Sequence, residues 1–351
     1  MKPRPSLLLR LVRLAAGLLM AAIVAVTAAQ QSGSFGPWWL ELSRYLPYHF
    51  ILAPGAVAVL LSHWLSWRWK LASVAAFVLL CTVTMGLSWS NGDAPASGDT
   101  RLRFMTYNVK AIKASQRGDG VAELAREVAL HKPDLLVMQD ADGLPVHAVP
   151  GPLRRAPVFG LPEVVAVGQY VVASRFPLHD CTERRLPLEG GAFHYLRCTV
   201  SVDGHELTVA TPHFVSPRTG LEAARFEGLD GTREWRQNHE LRLRQSHAIA
   251  ADLKDVHRPL IVAGDLNAIE SSPVLRPLLS IGLRDAFSSA GRGYGYTYGQ
   301  ALRLGFSFLR IDHILVSPEI GVTHAYAGGG EASDHRPVIA DLLLRSSAQG
   351  L

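Results

Sequence analysis

Three apolar runs fill most of the first ninety residues, and none of them is suited to a strand of a soluble sheet. "LVRLAAGLLMAAIVAVTAA" covers 11–29, "FILAPGAVAVLLSHWLSW" covers 50–67, and "LASVAAFVLLCTVTMGLSW" covers 71–89 without a single charge. A helix needs about 20 apolar residues to cross the hydrocarbon of a bilayer. The expectation is therefore three transmembrane helices at about 8–29, 50–67 and 71–89, within a membrane anchor over 1–90. Pro54 would start or kink the second of them, which membrane helices tolerate. Trp38, Trp39, Tyr45 and Tyr48 before that run, and Trp64, Trp67 and Trp69 after it, suit the membrane–water interface.

Basic residues set the expected orientation. Lys2, Arg4, Arg10 and Arg13 flank or open the first run, and Arg68 and Lys70 sit between the second and third. Positive flanks stay in the cytoplasm, so the N-terminus is expected inside and everything after residue 90 outside. A cleaved signal peptide is the alternative for the first run, with "AVTAA" as its cleavage site. Removing it would leave the large domain outside. Residues 91–100, in "SNGDAPASGDT", are small and polar and read as a flexible linker.

Charge follows the same division. The chain carries 35 basic and 30 acidic side chains, and residues 1–100 hold seven of the basic and three of the acidic ones. The remaining 251 residues are therefore nearly neutral. Without an excess of positive charge, that part is not built as a bulk nucleic-acid binder.

From residue 101 the texture becomes globular. "RLRFMTYNV", "DLLVMQD", "YVVASRFPL", "HYLRCTVSV", "ELTVATPHF", "PLIVAGDLN", "IDHILVS" and "RPVIADLLL" read as strands. "GVAELAREVALHK" and "WRQNHELRLRQSHAIAADLKD" have helical spacing. Packed sheets with helices outside them follow. The stretch 214–237, rich in Pro, Gly and Arg, reads as a long loop or lid, and 290–308 as a second, Gly- and aromatic-rich one.

Polar residues recur where these strands end: Asn108, Asp140, His213, Asp265, Asn267, Asp312, His313, Asp334 and His335. Carboxylates gathered at strand ends repel one another unless a cation lies among them, and hard divalent cations take oxygen ligands. His313 would point to the opposite face of its strand from Asp312 and reads as structural.

The motifs "YNV", "QD", "PHF", "GDLN", "RIDHIL" and "SDHRPV", in that order over about 102–345, resemble the endonuclease/exonuclease/phosphatase superfamily, which includes the pancreatic-type (DNase I-like) nucleases. The resemblance implies an α/β (α+β) four-layer sandwich, two packed and mainly antiparallel β-sheets flanked by helices, as a catalytic domain over 101–351. It implies a metal-dependent phosphoesterase. Asn108 and Asp140, with Asp334 nearby, would hold Mg²⁺, or Mn²⁺ or Ca²⁺. Asp265 would position the attacking water, and Asn267, alternating with it on an extended segment, would hold the water or a phosphate oxygen. His335 would pair with Asp312, and His213 would donate to phosphate oxygens or the leaving group. The family places Glu after Gln where this chain has Asp140, one methylene shorter. Arg218 and Arg336 would either clamp a phosphate or form solvated surface.

Three apolar runs followed by this domain resemble bacterial membrane phosphatases of the VanJ type, which act on polyprenyl phosphate carriers. The expected partners are the lipid bilayer and a lipid-linked phosphate, a pyrophosphate or a phospholipid headgroup, with the chain in the bacterial cell membrane. An extracytoplasmic nuclease and a weak phosphate-binding module are the alternatives. Cys181 and Cys198 fall in consecutive strands, either as a disulfide on the oxidising side or as two buried thiols.

Overall fold

The structure is a computed structural model that describes residues 6–32, 38–148, 157–256, 259–302 and 305–345. The chain forms two compact units, Met1–Leu87 with Glu270–Pro273, and Ser88–Ile269 with Val274–Leu351.

The first unit is helical. Helix α1 spans Leu7–Gln31, α2 Trp38–Ser43, α3 Tyr48–Ser62 and α4 Trp67–Leu79, which runs on as a π-helical turn to Thr84. Ile23, Ala76 and Leu80 form a small core, packed by Met20, Ile51 and Leu52. Among the described residues two helical stretches, Leu7–Gln31 and Trp67–Thr84, are long and apolar enough to cross a membrane, not the expected three. The second expected span stops at Ser62, and residues 63–66 form a turn in which Ser66, in an extended conformation, takes the N-cap position of α4, its carbonyl accepting from the Trp69 and Lys70 amides. Helix α3 therefore has 15 residues, about 22 Å against the roughly 30 Å of hydrocarbon. The third span also ends early, because Ser88–Trp89 (β1) leaves the helix and pairs with Arg292–Gly293 (β11).

The second unit holds two six-stranded sheets. The first contains β2 (Thr100–Asn108), β3 (Leu135–Gln139), β4 (Glu163–Val167), β5 (Tyr170–Ser174), β13 (Ile320–Ala327) and β14 (Val338–Leu344), in the order β13-β14-β2-β3-β5-β4. The second contains β6 (Leu178–Arg185), β7 (His194–Val202), β8 (His205–Pro212), β9 (Leu260–Asp265), β10 (Arg284–Asp285) and β12 (Asp312–Val316), in the order β10-β12-β9-β8-β7-β6. Both sheets are mixed. Within each, one pair is parallel, β2 with β3 and β8 with β9, and the other pairs are antiparallel.

Side chains alternate across each strand, so each sheet has two apolar faces. Phe104, Val137, Val172, Val209, Ile261, Ile314 and Ala340 meet in the core between the sheets. Met105, Leu136, Met138 and Ile339 face away from it and pack on Leu124 and Val128 of α6 (Val121–His131), which follows the short α5 (Ala111–Ser115). On the other sheet Ala210, Val262 and Leu315 face Ile249 and Leu253 of α8 (Gly228–Leu253). The result is the expected helix–sheet–sheet–helix layering.

Two further expectations change, and one open alternative is resolved. Residues 214–237 are not an open loop: they carry α7 (Arg218–Phe226) and the first turns of α8. Residues 91–99 lack regular structure but are tied to the domain, since Asp93 accepts from Arg284 and from the Val322 amide at 2.8 Å. Cys181 and Cys198, on adjacent strands β6 and β7, form a disulfide.

Candidate active site

Topology gathers the polar strand ends at one edge of the sandwich. Strands β2 and β3 are parallel and finish at Asn108 and Gln139, next to Asp140; β8 and β9 are parallel and finish at Pro212, next to His213, and at Asp265. Strand β12 is antiparallel to β9 and starts there, with Asp312 directly opposite Asp265. Strand β14 is antiparallel to β2, so Asp334 and His335, just before it, return to the same edge. Gly264 is required at this point: a Cβ would lie 2.1 Å from the Pro212 carbonyl oxygen.

Asp265 is the hub. Its Oδ2 accepts from Asn108 Nδ2 at 2.9 Å, a bond that joins the two sheets. His213 Nε2 lies 3.4 Å from the same oxygen and His335 Nε2 3.7 Å from it. Burial would raise the Asp265 pKa, but the charges of His335, His213 and Lys110 overrule it and hold the carboxyl well below the usual range. His335 Nδ1 is 3.0 Å from Asp312 Oδ2, and the ring lies 4.8 Å from that of Tyr298. Burial alone would lower the His335 pKa; Asp312 and Asp265 overcome it and keep the imidazole above its ordinary value. His213 Nδ1 donates to Gln169 Oε1 at 2.6 Å, which leaves Nε2 toward Asp265. Gln139, the residue before Asp140, bridges the sheets by donating to Thr211 Oγ1 at 2.9 Å and Thr106 Oγ1 at 3.2 Å.

The structure thus brings buried Asn108, Asp265, Asp312 and His335 together with half-buried His213 in one cluster, with Asp140 beside His213 at 3.8 Å. Other expected residues are placed differently. Asn267 is not on an extended segment: the strand ends at Asp265, Asn267 has φ +46°, and its Nδ2 donates to the Phe214 carbonyl at 2.8 Å. Through that bond it anchors the turn. Arg336 is engaged by the backbone: its guanidinium donates to the Gly328, Tyr296 and Ala327 carbonyls at 2.6, 3.2 and 3.3 Å. Arg218 is exposed on α7 and paired with Glu222 at 3.0 Å. Asp334 is committed to the rim: Oδ1 accepts from Arg117 at 2.8 Å and Oδ2 from Lys113 at 2.5 Å.

Several residues escaped the sequence reading. Lys110, straight after "YNV", has φ +45° and carries an ammonium bonded to Asp140 Oδ2. Gln169 lies in the β4–β5 hairpin and Tyr298 in the aromatic "YGYTYG" stretch. Arg242, fully buried on α8, donates to the Asn267 carbonyl at 2.8 Å and fixes the turn from behind. For Lys110 the signal was adjacency to Asn108 and for Tyr298 the aromatic-rich loop over 290–308; Gln169 and Arg242 had none.

The donors fit a hard divalent cation in kind. Asn108, Asp140, Asp265 and Asp312 offer oxygen, and facing ligand atoms of Asp265, Asp312 and His335 lie within 4.8 Å of one another. Asp312 Oδ1 is buried with no hydrogen-bond partner among the described residues, an acceptor that costs free energy until something binds it.

A two-sheet sandwich with acids, an amide and two imidazoles at one edge defines a phosphoesterase class of site. The profile of the Endonuclease/Exonuclease/phosphatase family matches residues 105–335, from β2 to His335. The chain belongs to this family, and so to the hydrolases of phosphate esters. Similar solved structures include family proteins from Bacteroides vulgatus (19% identity, 70% of this chain and 100% of that one, TM-score 0.52) and Bacteroides thetaiotaomicron (17%, 71% and 99%, 0.50). The D. rerio TDP2 complexed with single strand DNA product is also similar (16%, 70% and 99%, 0.50). At these identities the likeness is one of fold. No curated protein matches the chain.

Proposed function

We propose that this chain is a membrane-anchored, extracytoplasmic, divalent-metal-dependent phosphoesterase, and that its substrate is a lipid-linked phosphate or pyrophosphate or a phospholipid headgroup. The observation that carries the chemistry is Asp265, whose Oδ2 faces Asn108, His213 and His335 within 3.7 Å at the sandwich edge. Ionised throughout the neutral range, Asp265 orients the attacking water. His335, aligned by Asp312, donates to a phosphoryl oxygen, where negative charge grows. His213, fixed by Gln169, donates to the leaving oxygen. Asn108 and Asp140 are the residues to hold a divalent ion, which when bound stabilises charge on the phosphoryl oxygens and lowers the pKa of a bound water.

Anchoring is supported by the two apolar helical stretches Leu7–Gln31 and Trp67–Thr84. The outer location is supported by the Cys181–Cys198 disulfide, since such bonds persist in oxidising compartments. It requires the Tyr48–Ser62 helix and its flanks to cross as well. A domain nearly neutral in charge, held close to a lipid surface, favours a lipid headgroup over a long nucleic acid.

The test offers the full-length protein, with Mg²⁺ or Mn²⁺, a polyprenyl pyrophosphate, phospholipid vesicles and plasmid DNA. Phosphate released from lipid alone is the expected result. Nicked plasmid with untouched lipid would transfer the reading to a nuclease, and ligand binding without turnover to a binding module. A C-terminal reporter active only in the cytosol would overturn the location.

A further inference from the structure

We propose that Lys110 is a resident cation of this site: its ammonium holds Asp140 in the absence of a divalent ion, gives Asp140 up when the ion binds, and turns to the oxyanion of the bound phosphate. The inference rests on the proposed function and goes beyond it, because it makes ion and phosphate binding depend on one side chain of the protein.

The backbone is arranged for this contact. Lys110 and Asp140 both take left-handed conformations, φ +45° and +49°, which cost free energy for residues other than glycine. Two hydrogen bonds tie their segments together: the Val109 amide donates to the Gln139 carbonyl at 3.0 Å, and the Ala111 amide to the Asp140 carbonyl at 2.8 Å. The Lys110 amide donates to Asn108 Oδ1 at 3.3 Å. The lysine is thus fixed between Asn108 and Asp140, the two residues placed to hold the ion, and its ammonium lies on an Asp140 oxygen.

Charge and exposure then separate Lys110 from its neighbours. Lys113 and Arg117 both serve Asp334 at the rim. Among the described residues, the other basic side chain beside Asp140 is that of His213, at 3.8 Å, with Nδ1 already bonded to Gln169. A divalent ion on Asp140 would face the ammonium at close range, and like charges there repel by more than 1 kcal/mol even in water. The Lys110 side chain is about one-third exposed, at 34%, so it has room to leave. Four rotatable bonds let an ammonium follow the negative charge, and the negative charge that arrives with the ion is the phosphate.

The experiment measures binding on the full-length protein without turnover. Free Mn²⁺ is followed by electron paramagnetic resonance, and inorganic phosphate by calorimetry with the Mn²⁺-loaded protein. Lys110→Met is expected to bind Mn²⁺ roughly tenfold tighter than the wild type, and to lose roughly tenfold in phosphate affinity when loaded. Lys110→Arg should stay near the wild type in both. Unchanged or weaker Mn²⁺ binding by Lys110→Met overturns the proposal, as does unchanged phosphate affinity. Should that variant not fold, the unaltered protein serves: mild acetylation, mapped by mass spectrometry, must rise at Lys110 on adding Mg²⁺ and fall again with phosphate. A constant labelling level overturns the proposal. A wild type that binds neither Mn²⁺ nor phosphate brings down the proposed function too, whereas normal wild-type binding with an indifferent Lys110 removes this inference alone.

Discussion

Asp312 and His313 are consecutive on one buried strand, and their surroundings are opposites. His313 points away from the site, where Nδ1 meets Asp285 Oδ2 at 2.7 Å and Nε2 donates to the Ala268 carbonyl at 2.8 Å. Asp285 also takes Arg310 at 2.9 Å and the Ser288 amide at 2.9 Å. On that face both His313 nitrogens and both Asp285 oxygens have partners, and the network supports the 265–268 turn from below. Asp312 holds His335 with one oxygen and leaves the other buried without a partner among the described residues. One face is closed and structural; the other is incomplete and spends stability on holding groups ready for a ligand.

Breaking the open face should give the largest effect. Asp265→Ala is expected to lower turnover per folded molecule by at least about a hundredfold, toward ten-thousandfold, and to cost stability in urea unfolding as well, since Asn108 Nδ2 and the Asn267 amide lose their buried acceptor. An active Asp265→Ala enzyme would dismantle the site assignment.

The closed face should answer in stability. Asp285→Asn leaves Arg310 and His313 buried beside a neutral amide and should cost about 3–5 kcal/mol in urea unfolding. Turnover by the folded fraction should change far less than with Asp265→Ala. The pH dependence has a definite sign. Burial raises the Asp285 pKa, but Arg310 and His313 overcome it and hold it well below the ordinary carboxylate value. The ionised group therefore stabilises above its unfolded pKa of about 3.9, and the contribution is lost as pH falls through the lower folded value. The stability gap between wild type and Asp285→Asn should narrow below about pH 4; a gap constant from pH 7 to 3 would contradict the ion-pair account.

A change far from both faces sharpens the contrast. Replacing Cys181 and Cys198 by Ala opens a loop of sequence separation 17 and should lower stability by about 3 kcal/mol, with kinetics per folded molecule unaltered. The smallest effect belongs to the mouth. Asp140→Glu adds a methylene of reach, and turnover in Mg²⁺ should hold or rise; a severe loss would mean that the Lys110–Asp140 spacing tolerates no longer acid.

The chain's pattern made much of this legible. Short apolar runs marked β2, β3, β8, β9, β12 and β14, because both faces of each sheet are buried. Ordered polar residues at their ends marked Asn108, His213, Asp265, Asp312 and His335. His313 was read as structural because neighbours on a strand face opposite ways. The misses share a cause. Asn267 looked extended, but Arg242 and Phe214, distant in sequence, bend the turn around it. Arg336 looked free, but three carbonyls from other segments surround it. The span at 50–67 looked continuous in hydropathy, yet Ser66 starts a new helix within it.

What the sequence by itself determined is which residues line up on which side of each strand, and that the first ninety residues are apolar enough to seek lipid; both are local consequences of periodicity and hydrophobicity. What only the tertiary structure decided is which charges meet. Lys110 with Asp140, Arg117 and Lys113 with Asp334, and Gln169 with His213 are pairings across loops. Electrostatic partners depend on ångström distances in space, which the order of residues along the chain does not carry.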